Sequence, residues 1–208
     1  MTAKLWEPKP EWVGKTAVVV ATGPSLTLQQ VRAIALARLA DRCRVIAINE
    51  SVLPCWFADI AFGGDGKWWE ARHGLPRFPD RKVQLDPAAP PPREGMLLVQ
   101  RVGPSGYDGR PGYVYTHRNS GAMAVQIADM HKPDRILLVA FDMREVEGRR
   151  HWFDRYEDRL NSTPDIGRWV REFRALQTAL AGRLFNTTPG SALDFVPFTD
   201  LEMALNSA

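Results

Sequence analysis

Short apolar runs alternate along most of the chain with longer segments that have helical spacing. The runs are rich in Val, Ile, Leu and Ala, and continuous apolar runs of this kind are typical of parallel strands buried on both faces. The predicted strands are 16–21, 44–48, 58–62, 82–85, 96–102, 134–140 and 184–186. The predicted helices are 26–40, 68–72, 122–130, 164–183 and 200–205.

This alternation predicts one α/β domain over residues 1–208, built as a mostly parallel sheet with helices on both faces, which is a three-layer arrangement. The segment at about 87–112 is rich in Pro and Gly. We expect it to be irregular, with an extended proline stretch at 87–92 and a flexible surface loop at 103–112. Because strand–helix–strand crossovers are right-handed, the strand-to-helix turns share one rim, and ligands of such sheets bind there.

Small and polar residues gather at this rim. Gly23 permits close backbone approach, and Ser25 is placed to cap the first helix, whose free N–H groups attract anions. Asn49 follows the second strand, and Asn119 or Ser120 caps a later helix. The candidate residues at the rim are Thr22, Gly23, Ser25, Asn49, Asp65, Asn119, Ser120, Gly121 and Asp142. Turn and cap residues have the same composition, so a purely structural interpretation stays open for each of them.

Two carboxylates follow apolar strands, at Asp65 and Asp142. Carboxylates from neighbouring strand ends are suited to hold Mg²⁺ or a sugar hydroxyl. The alternative is a pair of loop carboxylates hydrogen-bonded to backbone amides. Trp68 and Trp69 follow closely, and for this pair core packing is favoured over stacking on a base.

His151 lies in the polar segment that follows the Asp142 strand. A histidine has an ordinary pKa near neutrality, which suits a general base, and a loop in this position overhangs the rim. The alternative is an ordinary surface histidine. His117, close before the Asn119 turn, is a second candidate.

Five segments carry a resemblance to a known superfamily through their order and spacing. They are 18–26, 46–49, 119–122, 136–143 and 186–193. In this order they resemble the Rossmann-like superfamily that includes the bacterial sialyltransferases of glycosyltransferase family 42. Archaeal 6-hydroxymethylpterin pyrophosphokinases and small phage proteins share the pattern. The resemblance covers most of the chain and is weakest in the proline-rich middle.

The resemblance implies a nucleotide site at the rim. The corresponding segments of the sialyltransferases surround CMP, and a histidine after the next strand is their base, a position that His151 matches. The nucleotide contacts implied here are Gly23, Ser25, Asn49, Ser120 and Gly121. This chain departs from the family's Gly-Asn-Gly-Pro-Ser turn, because Ala21 and Thr22 stand at its first two positions.

The composition argues against several classes of protein. The 27 basic and 24 acidic residues give a net charge of +3 without the dense basic stripe of a nucleic-acid binder. Cys43 and Cys55 have no metal-binding spacing, and two isolated thiols favour a reducing compartment. No apolar run approaches the ~20 residues that span a bilayer. We therefore expect a cytoplasmic protein with no membrane span and no nucleic-acid partner.

Three functional hypotheses remain. The first is a nucleotide-sugar-dependent glycosyltransferase with a CMP-type donor, in which His151 and Asp142 are catalytic. The second is a pyrophosphokinase-like transferase that uses ATP and Mg²⁺, with Asp65 and Asp142 near the metal. The third is a phage protein that binds a nucleotide or a partner without catalysis, since fold does not fix function. The acceptor and the choice between monomer and homo-oligomer stay open.

Overall fold

The computed structural model describes residues 4–86, 95–153, 156, 160 and 165–207. Its strands are β1 (Lys4–Leu5), β2 (Thr16–Val20), β3 (Cys43–Ile48), β4 (Ile60–Gly63), β5 (Arg81–Asp86), β6 (Leu97–Gly103), β7 (Tyr113–Tyr115), β8 (Arg135–Val139) and β9 (Leu184–Asn186). Its helices are α1 (Leu28–Leu39), α2 (Gly66–Ala71), α3 (Ser120–Met130), α4 (Ile166–Ala179) and α5 (Leu201–Asn206). A 3₁₀ turn, Asn49–Val52, follows β3 directly.

The strands form one sheet in the order β1-β6-β5-β4-β3-β2-β8-β9, and β7 pairs with β6 beside this path. Every pairing between these named strands is parallel. In the centre, Val18 of β2 lies opposite Val45 of β3 on one side and Leu137 of β8 on the other. The sheet is therefore all-parallel in the described part of the chain, as the continuous apolar runs predict.

Helices cover both faces of the sheet, because alternate residues of each strand feed two separate cores. Ala17 and Val19 face the core that α3 and α4 share, and that core includes Phe173 of α4. Val18 and Val20 face the opposite core, which contains the inner residues of α1, α2 and α5. The result is the expected three-layer Rossmann-like α/β fold.

The order in which successive strands are added to the sheet changes side at β2. From β2 it proceeds through β3, β4, β5 and β6, and then α3 returns it to β8 on the other side of β2. The carboxyl ends of β2 and β8 thus flank a topological switch point, which is where open α/β sheets bind their ligands.

The predicted strands and helices are confirmed in type, with shifts of a few residues at their ends. Two strands were not predicted: β1 is only two residues long, and β7 follows the glycine-rich loop that was expected over 103–112. That loop is anchored, because the Tyr107 hydroxyl donates a hydrogen bond to the buried Asp129 of α3. The proline stretch predicted at 87–92 lies outside the described residues. No helix in the described part of the chain is long and apolar enough to cross a membrane.

Trp6 and Trp12 pack the N-terminal arm, and both rings contact His131. The Trp12 ring stacks on the imidazole with centroids 4.2 Å apart, and the Trp6 ring lies 5.4 Å away. His131 is fully buried and its Nδ1 lies 2.9 Å from the carbonyl oxygen of Lys9. A carbonyl oxygen only accepts, so Nδ1 carries the proton of the neutral ring. Burial lowers the pKa of His131 to about 4.

We expect this histidine to destabilise the fold in acid. Its pKa in the folded protein lies below the ~6.5 of an unfolded chain. Its stabilising contribution is therefore complete above pH 6.5 and is lost as the pH falls towards 4, by about 3 kcal/mol in total. Urea unfolding at pH 7 and pH 4.5 measures the effect. His131→Gln should have a smaller pH dependence than the wild type, whereas a variant of the exposed His73, His73→Gln, should not differ from it.

Candidate functional site

A cavity of about 650 Å³ opens at the switch point, over the carboxyl ends of β2, β3 and β8. Its wall includes the turn after β2, the N-terminal ends of α2 and α3, the segment after β8 and the loop that carries His151. Nine of the ten predicted site residues line it: Thr22, Gly23, Asn49, Asp65, Asn119, Ser120, Gly121, Asp142 and His151. Only Ser25 is absent from the wall. The strand ends therefore bring these nine residues to one cavity, as the parallel sheet predicts.

Asp142 and Gly23 fit together so closely that Gly23 has a structural role. Asp142 is 3% exposed, and its Oδ2 accepts a hydrogen bond of 2.8 Å from the Ser25 hydroxyl and one of 3.3 Å from the Ser25 amide. A Cβ atom added to Gly23 would lie 2.0 Å from that oxygen and 2.3 Å from the carbonyl oxygen of Ala140. The close approach that Gly23 permits is therefore the approach of the Asp142 carboxylate.

The prediction that Ser25 caps the first helix is wrong. Helix α1 begins at Leu28, and Thr27 is its N-cap in a reciprocal capping box with Gln30. Ser25 instead holds Asp142 from the side away from the cavity. A Ser-x-Thr sequence offers two capping hydroxyls, and the one that lies three residues before a Gln completes the box.

The segment after β8 keeps its shape through contacts from the chain end. The Thr188 hydroxyl accepts from the Phe141 amide at 3.0 Å, and the Ser191 hydroxyl donates to the Phe141 carbonyl at 2.5 Å. The Ala192 amide donates to the carbonyl of Asp142 at 2.9 Å. The segment 186–193 thus supports the cavity wall from behind and does not line the cavity.

The N-terminal end of α3 lines the cavity, and two of its amides have no acceptor among the described residues. Asn119 is the N-cap, and its Oδ1 accepts from the Ala122 amide at 3.1 Å. The amides of Ser120 and Gly121 have no acceptor among the described residues. Gly121 also lies against the Phe141 ring, since an added Cβ would be 2.6 Å from it. Free amides at a helix start carry partial positive charge and bind anions.

Arg118 lies next to these amides and was not identified from the sequence. It lines the cavity, is exposed, and makes no ion pair with any described residue. Both His117 and Arg118 have positive φ, 46° and 49°, so the chain turns sharply just before the N-cap. His117, the second histidine candidate, is buried away from the cavity with its Nε2 2.9 Å from the Gly106 carbonyl oxygen.

The other arginines of the cavity wall are already engaged. Arg144 donates to the Gly190 carbonyl at 2.6 Å, Arg150 pairs with Glu145 at 2.5 Å, and Arg149 lies 3.8 Å from Glu147. Arg118 is therefore the cation that this wall leaves available for an anionic ligand, as far as the described residues show.

His151 lies in the cavity wall as a partly buried imidazole. Its ring stacks on Phe153 with centroids 4.9 Å apart and meets the edge of Tyr156 at the same distance. Its Nδ1 lies 3.2 Å from the Thr22 hydroxyl oxygen. Burial lowers the pKa of His151, and a hydrogen bond with the Thr22 backbone and the charge of Glu50 oppose that shift only in part. The ring is therefore neutral at physiological pH, the form a general base requires.

Beneath His151 lies a buried polar cluster whose acidic member, Glu50, was also missed. Glu50 is 2% exposed and accepts from the Trp68 indole N–H at 2.8 Å and from the Arg72 guanidinium at 2.6 Å. The neighbouring Asn49 has φ of 50°, and its buried Oδ1 has no described partner. Trp68 and Trp69 pack in the core, as favoured from the sequence, although Trp68 also contributes to the cavity wall.

The two aspartates do not form a ready magnesium site. Asp65 caps α2 by accepting from the Lys67 amide at 2.9 Å, and Oδ2 of Asp142 is taken by Ser25. Within residues 4–86, 95–153 and 165–207, no three His, Cys, Asp or Glu side chains cluster to hold a metal. This donor set does not fit a metal ion held by the protein alone.

No family model, curated protein sequence or solved structure matches this chain. The case for a function therefore depends on the cavity itself.

Proposed function

We propose that the protein is a nucleotide-sugar-dependent transferase whose donor nucleotide binds in the switch-point cavity. The observation that carries the proposal is one patch of the cavity wall. There Arg118, Ser120 and Gly121 all line the cavity, and as far as the described residues show, the two amides have no acceptor and the guanidinium has no ion-pair partner. A helix start with free amides and an adjacent arginine is a combination suited to a phosphate group.

The rest of the cavity suits the sugar and base of a nucleotide. Its volume of about 650 Å³ lies within the ~300–1,000 Å³ range of small-molecule and cofactor sites. Asn49 lines the cavity, and its side-chain amide group has the hydrogen-bonding capacity that a ribose hydroxyl or a base requires.

His151 supplies the proton acceptor that a direct displacement needs. In the proposed step the acceptor hydroxyl gives its proton to the neutral imidazole while its oxygen forms a bond to the anomeric carbon. The bond from that carbon to the nucleotide phosphate oxygen breaks, and the phosphate leaves with the electron pair. Arg118 and the amides of α3 then stabilise the charge that develops on the phosphate.

Arg118→Ala should weaken nucleotide binding by about 10- to 100-fold, since a charge-assisted hydrogen bond contributes about 1.5–3 kcal/mol. Calorimetric titration with CMP, UMP, AMP and GMP measures the loss against the wild type. Arg32→Ala is the matched control, because Arg32 is an exposed arginine of α1 outside the cavity wall. Equal affinities of Arg118→Ala and Arg32→Ala for the best nucleotide would contradict the proposed phosphate position.

Nucleotide binding without turnover is the second candidate, and the ring contacts of the partly buried His151 favour it. The imidazole is stacked on Phe153 and edged by Tyr156, so the same contacts that keep it neutral also restrict access to it. Under this second function, a nucleotide binds at the Arg118 patch but no nucleotide-sugar is consumed. The pyrophosphokinase-like alternative has less support, because Asp65 and Asp142 are occupied by local hydrogen bonds.

A further inference from the structure

A series of polar side chains extends from His151 into the protein interior. Nδ1 of His151 lies 3.2 Å from the Thr22 hydroxyl oxygen. The hydroxyl of Tyr156 is within hydrogen-bonding reach of the side chains of Thr22, Asn49 and Glu50. Residues 22 and 50 are far in sequence from residues 151 and 156, and the cavity wall brings Thr22, His151 and Tyr156 together over the buried Glu50. We call Thr22, Tyr156 and Glu50 the relay chain.

The chemistry of its inner end favours one direction for the hydrogen bonds of the relay chain. A carboxylate only accepts, and Glu50 already receives hydrogen bonds from the Trp68 indole and the Arg72 guanidinium. The Tyr156 hydroxyl therefore donates to Glu50, which leaves the phenol oxygen to accept from the Thr22 hydroxyl and the Asn49 amide. The Thr22 oxygen is then free only to accept, and the group it faces is Nδ1 of His151.

We infer that Thr22, Tyr156 and Glu50 are positioning residues that hold His151 in the tautomer with its proton on Nδ1. This leaves Nε2 as the proton acceptor of the ring. The inference deepens the proposed function and rests on it in one respect, because a general base needs a nitrogen without a proton. A neutral histidine with the opposite tautomer would present an N–H to the acceptor and could not take its proton.

Protonation of the surrounding groups is consistent with this arrangement. Burial raises the pKa of the Tyr156 phenol, and Glu50 raises it further, so the hydroxyl keeps its proton and remains a donor. The charged groups that act on His151 are Glu50, which raises its pKa, and Arg150, which lowers it, while burial has the largest effect and lowers it. Phe153 contributes only its ring face.

The test is the tautomer of His151, measured by ¹⁵N NMR on the full chain labelled at its histidines. The chain has four histidines, and the signal of His151 is assigned by its loss in His151→Gln. Thr22→Ser keeps the hydroxyl, while Thr22→Val removes it at nearly the same volume. Tyr156→Phe keeps the ring contacts with His151 and Phe153 but removes the phenol oxygen, so the Thr22 hydroxyl can turn and donate to Nδ1.

We expect a dominant Nδ1–H tautomer in the wild type and in Thr22→Ser, and loss of that dominance in Thr22→Val and Tyr156→Phe. The other three histidines should keep their signals in all variants, which controls for a general disturbance of the fold. An Nε2–H tautomer in the wild type would overturn the inference. So would the same tautomer in the wild type and in all three variants of Thr22 and Tyr156. The measurement needs no nucleotide, so a failure of the proposed function, seen as no nucleotide binding, is separate from a failure of the relay chain.

Discussion

Gly23→Ala is expected to lower the free energy of unfolding by about 3–5 kcal/mol, the largest stability effect of any single methyl group at the site. The added Cβ would lie 2.0 Å from Oδ2 of Asp142 and 2.3 Å from the Ala140 carbonyl oxygen. Neither oxygen has room to move, because Asp142 is held by Ser25 and Ala140 directly follows strand β8 with φ of 58°. Urea unfolding at pH 7 measures the change.

The matched control for this substitution is Gly167→Ala. Gly167 lies on an exposed face in the first turn of α4, and the nearest atom to an added Cβ is the end of the Arg171 side chain at 3.5 Å. Alanine favours helix over glycine by about 1 kcal/mol, so this variant should be slightly stabilised. The free energy of unfolding of Gly23→Ala could instead lie within about 1 kcal/mol of the wild-type value. That result would contradict the close packing of Asp142 on the turn after β2.

His151→Ala is expected to reduce the transfer rate by about 10²- to 10⁴-fold, the usual contribution of a positioned general base. The affinity for CMP should stay close to the wild-type value, because the proposed phosphate contacts come from Arg118 and α3. Release of CMP from a CMP-sugar, with water or a panel of sugars as acceptor, gives the rate. Calorimetric titration with CMP gives the affinity.

His73→Ala controls for the loss of a histidine, since His73 is exposed and outside the cavity wall. Its rate should match the wild type. If His151→Ala releases CMP as fast as the wild type, His151 is not the general base. No release by the wild type, with CMP still bound, would instead support the function in which the nucleotide is bound without turnover.

Much of the fold could be predicted because local patterns and topology agree here. Apolar runs buried on both faces indicated a parallel sheet, and parallel strands place their carboxyl ends at one rim. This reasoning is enough to bring Thr22, Asn49, Ser120 and Asp142 to one cavity. It gave no sign of β1 and β7, because strands of two or three residues are too short to show a period.

The sequence could not assign roles within the site, because those roles depend on contacts between distant segments. Asp142 looked like a ligand carboxylate, but its Oδ2 accepts from Ser25, 117 residues away along the chain. Arg118 was missed because only the consecutive positive φ values turn its backbone towards the cavity. Glu50 was missed because no pattern near position 50 distinguishes a buried carboxylate from a surface one.

The central claim is that the switch-point cavity binds a nucleotide, and a thermal-shift screen tests it most directly. The full chain is heated with CMP, UDP, GDP, ADP, ATP and their sugar conjugates, each with and without Mg²⁺. At about 100 times its Kd a ligand stabilises the fold by about 2.7 kcal/mol, which corresponds to a rise in Tm of roughly 5–10 °C for a chain of this size. We predict such a rise with CMP or a CMP-sugar in the absence of metal, and a smaller one in Arg118→Ala. A rise only with ATP and Mg²⁺ would contradict the transferase proposal, and no rise with any nucleotide would contradict the site itself.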